Sequence, residues 1–334
     1  MRLVLSLLIS LIAAPQLAAE CVGRNLIEAL PQAGRDRIDE AVAQVPFGKG
    51  LLWQATKGEA RMVLVGTYHS GDPRHQRMLD RLEAELSGAA ALYVEAGPEE
   101  EAKLEAAVAA KPDLLVQTEG PPLPERLSDA EWTAVSGAME ARGTPAVITA
   151  RMRPWFVATM LSLPPCMMES YHSDVPEGLD NLLIARAGEM NLPVLSLEPW
   201  ETLFSVFADL TPQQEIDLLR GVLPAAELAD DYAVTLTDSY FAGDVWEIWE
   251  FSRFDAYARS GFSPAEVDAQ MLLFRENLMD ERNQSWIRPL TRGAVSAAAQ
   301  DRQIVAAFGA LHLPGQEGVL RLLEKDGWTI RRLE

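Results

Sequence analysis

Two stretches of the chain, Met62 to His69 and Val305 to His312, share one layout: a short apolar run passes directly into Gly-x-x-His. Each is followed by a helical pattern and then by a further strand-like run. Short apolar runs of this kind read as buried strands. In the first unit the apolar positions Met78, Leu79, Leu82 and Leu86 recur at helical spacing and lead to the strand Ala91-Leu92-Tyr93-Val94. In the second, Val319 to Leu323 reads as the helix and Trp328 to Leu333 as the closing strand. Upstream, Leu51 to Ala55, Lys57-Gly58-Glu59 and Arg61 to Val65 read as strand, turn and strand, a hairpin entering Gly66. Leu192 to Leu197 is one more short strand, ending at Glu198. The expected fold is therefore α/β, with a central mixed sheet built from two strand-Gly-x-x-His-helix-strand units. Their likeness reads either as an internal duplication or as a coincidence between short segments.

Large helical insertions fill the chain between these strands, over about 98 to 190 and about 199 to 300. Pro121-Pro122-Leu123-Pro124 breaks the first, and Pro212, Gly221, Gly243 and Pro264 punctuate the second. No low-complexity run or linker separates the halves, so residues 20 to 334 are expected to form one domain. Residues 1 to 19 read as a secretory signal: Arg2, an apolar run from Leu3 to Ala14, then Leu17-Ala18-Ala19. That run is short of the roughly 20 residues a spanning helix needs. The expected location is periplasmic or secreted, with no membrane attachment after cleavage. In an oxidising compartment Cys21 and Cys166 are candidates for an intramolecular disulfide, the alternative being two isolated thiols. A formal charge of −20 opposes binding to nucleic acid or anionic lipid.

The chain has four histidines, and two of them, His69 and His312, follow apolar strands, where open α/β sheets place ligands. A glycine three residues before each lets the backbone turn sharply or approach a ligand closely. Glu95 and Glu198 also follow apolar strands, so one rim of the sheet can carry two imidazoles and two carboxylates. Two imidazoles and a carboxylate, with a position left to water, form a familiar catalytic metal site. His69, Glu95 and His312 are the candidate ligands of a divalent ion (Mn, Co or Zn), and Glu198 a candidate general base. The alternative is that both glutamates cap or pair with neighbouring helices. His75, on a charged helix, and His172, in a polar loop, are expected at the surface.

Gly66-Thr67-Tyr68-His69-Ser70-Gly71-Asp72-Pro73 resembles the first signature of the TraB/GumN family, which is related to the Tiki metalloproteases. Tyr93-Val94-Glu95, Pro154-Trp155, Gly178-Leu179-Asp180, Leu197-Glu198, Arg282-Asn283 and Gly309-Ala310-Leu311-His312-Leu313-Pro314-Gly315 follow in the family's order. The resemblance implies a shared fold with a glutamate beside the paired turns, and metal-dependent peptidase activity as in Tiki members. Carried over, His69, Glu95 and His312 form the metal or catalytic group. Arg282 would then hold a substrate carboxylate or a developing oxyanion, or else form a helix-surface salt bridge. Asp72 and Asp180 read as turn and helix-capping residues. The leading expectation is a metal-dependent, peptidase-like hydrolase of the cell envelope acting on a peptide or small molecule. A metal-free hydrolase similar to the erythromycin esterases keeps His69 and Glu95 but needs no ion. A non-catalytic haem- or peptide-binding protein, with Tyr68 or His69 as a haem ligand, is the third reading.

Overall fold

The computed structural model describes residues 21–168, 178–208 and 210–333. The signal-like segment 1–19 and His172 lie outside the described residues. Six strands form one mixed sheet: β1 (Leu52–Lys57), β2 (Ala60–Thr67), β3 (Ala89–Val94), β4 (Val194–Ser196), β5 (Gln303–Gly309) and β6 (Thr329–Arg332). Their order across the sheet is β4-β3-β5-β2-β1-β6. β1 runs antiparallel to β2 and β6, and β2, β5, β3 and β4 are parallel. The β1–β2 hairpin closes with Lys57 opposite Ala60, and Gly58 takes the positive φ of 59° that so tight a turn requires.

The two Gly-x-x-His strands, β2 and β5, lie side by side at the centre of the sheet. Each is followed by a helix, His75–Ser87 or Val319–Lys325, and then by β3 or β6. Being covered on both faces, β2 and β5 are apolar almost throughout. Met62, Leu64, Ala306 and Phe308 face the helices Glu281–Ala298 and Val319–Lys325. Val63, Val65, Val305 and Ala307 face the helices His75–Ser87 and Leu179–Glu189. The outer strands β4 and β6 are short and partly exposed, which limits unwanted edge pairing.

The two helical insertions form as expected, between β3 and β4 and between β4 and β5. Helices Asp129–Glu140, Pro154–Ser162 and Pro212–Ala226 build a separate apolar cluster around Val135, Leu161 and Leu219. Cys21 and Cys166 are bonded, linking the first described residue to the first insertion. Among the described residues no helix is long and apolar enough to cross a membrane.

His75 corrects the surface expectation. It is 1% exposed, with Nε2 donating to the Ser70 carbonyl at 2.9 Å and the ring against Tyr240 and Phe241. Arg74, Gln76 and Arg77 beside it face outward while His75 itself points inward. Burial pushes its pKa below the ordinary value.

Candidate active site

The register of the sheet brings four strand ends together. Thr67 pairs with Gly309, and Val94 pairs with both Ala307 and Ser196. His69, Glu95, Glu198 and His312, far apart in the chain, thus emerge on one rim.

His69 lies two residues beyond β2. Its backbone is packed against Gly178, where an added Cβ would fall 2.7 Å from the Cα of His69, and Leu179 donates to the Tyr68 carbonyl. Its Nδ1 meets Asp180 Oδ2 at 2.8 Å, across 111 residues of sequence. The hydrogen bond to Asp180 raises the pKa of the largely exposed His69 ring to about 9, so without an ion it is protonated at pH 7. Asp180 stands in the first turn of helix Leu179–Glu189. Burial disfavours its charge, but the bond to His69 holds its carboxyl below the usual range.

His312 closes a short turn, Ala310–His312, after β5. Its Nδ1 lies 2.7 Å from Asn283 Oδ1, and Asn283 Nδ2 donates to the Glu317 carbonyl. The amide oxygen is therefore the atom facing the ring, which places the imidazole proton on Nδ1. Nε2 is left as a lone pair, 3.9 Å from Glu95 Oε1. Burial lowers the His312 pKa to about 4, so the ring is neutral at pH 7.

Glu95, the first residue after β3, accepts from the Gly309 backbone N–H at 2.6 Å and from Arg282 Nη2 at 2.5 Å. Burial opposes its ionisation. The positive field of His312, Arg282 and His69, with the Gly309 bond, overcomes that and holds the carboxyl at about 2. Since His312 is neutral at pH 7, Arg282 and His69 carry this effect there. Gly309 admits no larger residue without disturbance. A Cβ there would lie 3.3 Å from Glu95 Oε1, 3.6 Å from the His312 ring and 3.9 Å from His69 Nε2. The same three distances show that both histidines and Glu95 border one small space.

Arg282 lies two residues beyond a π-helical turn, Glu276–Asp280, an irregularity frequent at functional sites. Its five N–H groups all face protein acceptors. Nε donates to Glu198 at 2.9 Å, Nη2 to Glu95 and Glu198, and Nη1 to the Leu278 carbonyl, while Nη1 also lies 3.4 Å from His312 Nε2. Trp286 adds an N–H to Glu198 at 3.1 Å and packs its ring near the guanidinium. Burial raises the pKa of Glu198, against the pull of Arg282. Glu198 is thus placed as an anchor for Arg282, and Arg282 as the counter-charge that fixes Glu95.

A cavity of about 370 Å³ opens beside these groups, bordered by Thr67, His69, Glu95, Glu101 and Asp180 and also by Val94, Ile184 and Phe308. Among the described residues no three His, Cys, Asp or Glu side chains are drawn close enough to hold an ion. The donor chemistry nevertheless suits one: each imidazole is tied through Nδ1 to an oxygen acceptor, as metal-binding histidines commonly are, and an ion would displace the Nε2 proton of His69 and the Arg282 contact of His312 Nε2. Tyr68, considered as a haem ligand, has its hydroxyl 3.2 Å from Thr237 Oγ1 and its ring stacked on Tyr240. Asp72 takes the turn role expected of it, accepting from the Arg74 backbone and guanidinium.

The sequence suggested one rim for His69, Glu95, Glu198 and His312, which the structure brings together, and the family resemblance added Arg282, which reaches them from helix Glu281–Ala298; the partners that orient them were passed over. Asp180 read as a capping residue, Asn283 carried no assigned role, and the Gly309 N–H was not considered. The signals for Asp180 were its place just after Gly178, at the start of a helix, and the Gly178-Leu179-Asp180 match to the family.

Fold and site together define an α/β protein with a His/Glu/His cluster, braced by one arginine, at the C-terminal rim of a mixed sheet. The chain belongs to the TraB/PrgY/gumN family, whose profile matches residues 51–332, from the start of β1 to the end of β6. No curated protein sequence matches it.

Proposed function

We propose that this protein is a hydrolase of the cell envelope, acting at the acyl carbon of a peptide-like substrate, with His69, Glu95 and His312 holding a divalent metal. The observation that carries this reading is the pair of anchored imidazoles: Asp180 and Asn283 fix the Nδ1 atoms, and both rings border the space beside Glu95. Arg282 supports it indirectly. Four of its five guanidinium N–H groups are held by Glu95, Glu198 and the Leu278 carbonyl, and the fifth, directed at His312 Nε2, would be freed if an ion took that nitrogen, so Arg282 serves first to hold the two carboxylates. A bound ion would polarise the substrate carbonyl and make hydroxide available near neutral pH. The chain's own residues orient the ligands: Arg282 and Gly309 hold Glu95 ionised and in place, and Glu198 with Trp286 holds Arg282.

A metal-free reading has one observation in its favour. The His69–Asp180 pair, at 2.8 Å, has the form of a base and its orienting carboxylate. Cleavage of a mixed peptide library, followed by mass spectrometry, separates the two. The metal reading predicts cleavage that a chelator abolishes and that Mn, Co or Zn restores. Chelator-resistant cleavage that is lost in His69→Ala would contradict it and favour the metal-free base. No cleavage under any condition would remove the peptidase assignment.

A further inference from the structure

His69 stands between two cavities of different character. On one side is the space beside Glu95, where Glu95, Glu101 and Asp180 bring carboxylates to a mixed lining; on the other is a second cavity of about 360 Å³, also bordered by His69. The helical insertions wall this second cavity with Leu161, Leu163, Val222, Ala229, Ala233 and Leu236, and among the described residues no Asp, Glu, Lys or Arg lines it. In a chain carrying a formal charge of −20, an uncharged wall next to the site is a selective feature.

Four of the hydroxyls on the lining are already engaged by the protein. Ser162 donates to the Ala158 carbonyl, Ser252 to the Ile248 carbonyl and Tyr232 to Asp255, while the Tyr68 hydroxyl meets Thr237. An occupant therefore gains little from polar groups and most from burying apolar surface. The wall is also braced. Arg142, 7% exposed, donates to the carbonyls of Leu161 and Leu163, and Pro164 leads into the Cys166 disulfide. A cavity held open in this way can bind without first reorganising.

We propose that this cavity is a specificity subsite that receives an uncharged apolar chain attached next to the acyl bond processed at His69. The inference rests on the hydrolase reading for what happens at His69, whereas binding in the cavity can be measured separately. The same chemistry is offered by a fatty acyl chain or by a large apolar side chain of a peptide.

The test uses the full mature protein with Ala225→Phe and Ala229→Phe, which place a ring in the cavity from two different helices, each checked for folding by circular dichroism. Binding is read with N-phenyl-1-naphthylamine, an uncharged probe that fluoresces in apolar surroundings. Wild type should bind it, and each folded variant should bind at least about tenfold more weakly. Hydrolysis is read with p-nitrophenyl esters from acetate to decanoate, and with peptides carrying Ala, Phe or Lys beside the bond. Preference for the longer acyl chain, or for Phe over Ala and Lys, should reach about tenfold in kcat/KM and collapse toward parity in the variants. The ester and peptide arms separate the two sources of the apolar chain. Absence of probe binding in wild type, unchanged binding in both folded variants, or hydrolysis without any apolar preference would overturn the subsite. Probe binding that the variants lose, with no substrate hydrolysed, would leave an apolar-ligand site in place and overturn its link to an acyl bond together with the hydrolase reading.

Discussion

Asp180 and Asn283 determine what the two histidines can do, although neither lines the space between them as a proposed ligand. By holding each Nδ1, they settle which ring nitrogen remains available. Replacing Asp180 with Asn keeps an acceptor but removes the charge. Asp180→Asn should therefore remain folded while losing metal affinity by about 10- to 100-fold, measured by calorimetric titration with Mn or Zn. Equal affinity would show that Asp180 does not orient the ligand. Such pairings were not legible in the sequence because hydrogen bonds between side chains 111 or 29 residues apart leave no local pattern. The histidines were legible, since each follows an apolar strand within three residues of a glycine. Both glycines serve close approach. A Cβ at Gly66 would meet Leu313 at 2.8 Å, and one at Gly309 would crowd Glu95.

Among the elements, the central strands and their helices could be read from apolar periodicity, whereas the inward position of His75 could not. Its neighbours Arg74, Gln76 and Arg77 signal solvent, and only tertiary packing on Tyr240 and Phe241 overrides them. The insertions carry readable start signals. Ser128 and Glu131 form a reciprocal cap on helix Asp129–Glu140, and Glu131 also accepts from Arg220 of helix Pro212–Ala226 at 2.7 Å. The Arg220 bond, with the Ser128 cap, holds the Glu131 carboxyl down at about 2. The stabilisation is therefore complete above the ordinary value of 4.5 and fades as pH falls toward 2. Glu131→Gln, which retains a capping side chain, should cost about 1 kcal/mol at pH 7 in urea denaturation. The difference from wild type should narrow steadily below about pH 4.5. A cost independent of pH would mean that the charge pair contributes nothing.

At the scale of the molecule, β5 enters late in the chain and slots between β2 and β3, so the site is complete only when both ends of the sequence have met. The mixed sheet and its two units were legible. The order of strands was not, because apolar runs do not record their neighbours. The disulfide closes a separation of 145 residues and ties the N-terminal segment to the insertion that walls the apolar cavity. Replacing both cysteines with serine should lower stability by about 2 to 5 kcal/mol in urea denaturation, with folding retained. Unchanged stability would show that the bridge adds no net constraint.

The central claim is that the two Gly-x-x-His turns build one metal site, and elemental analysis of the purified mature protein, beside folded His69→Ala and His312→Ala variants, tests it most directly. The account predicts near-stoichiometric divalent metal in the native protein and its loss in each variant. Native protein that takes up no metal even after reconstitution, or variants that retain it, would contradict the claim.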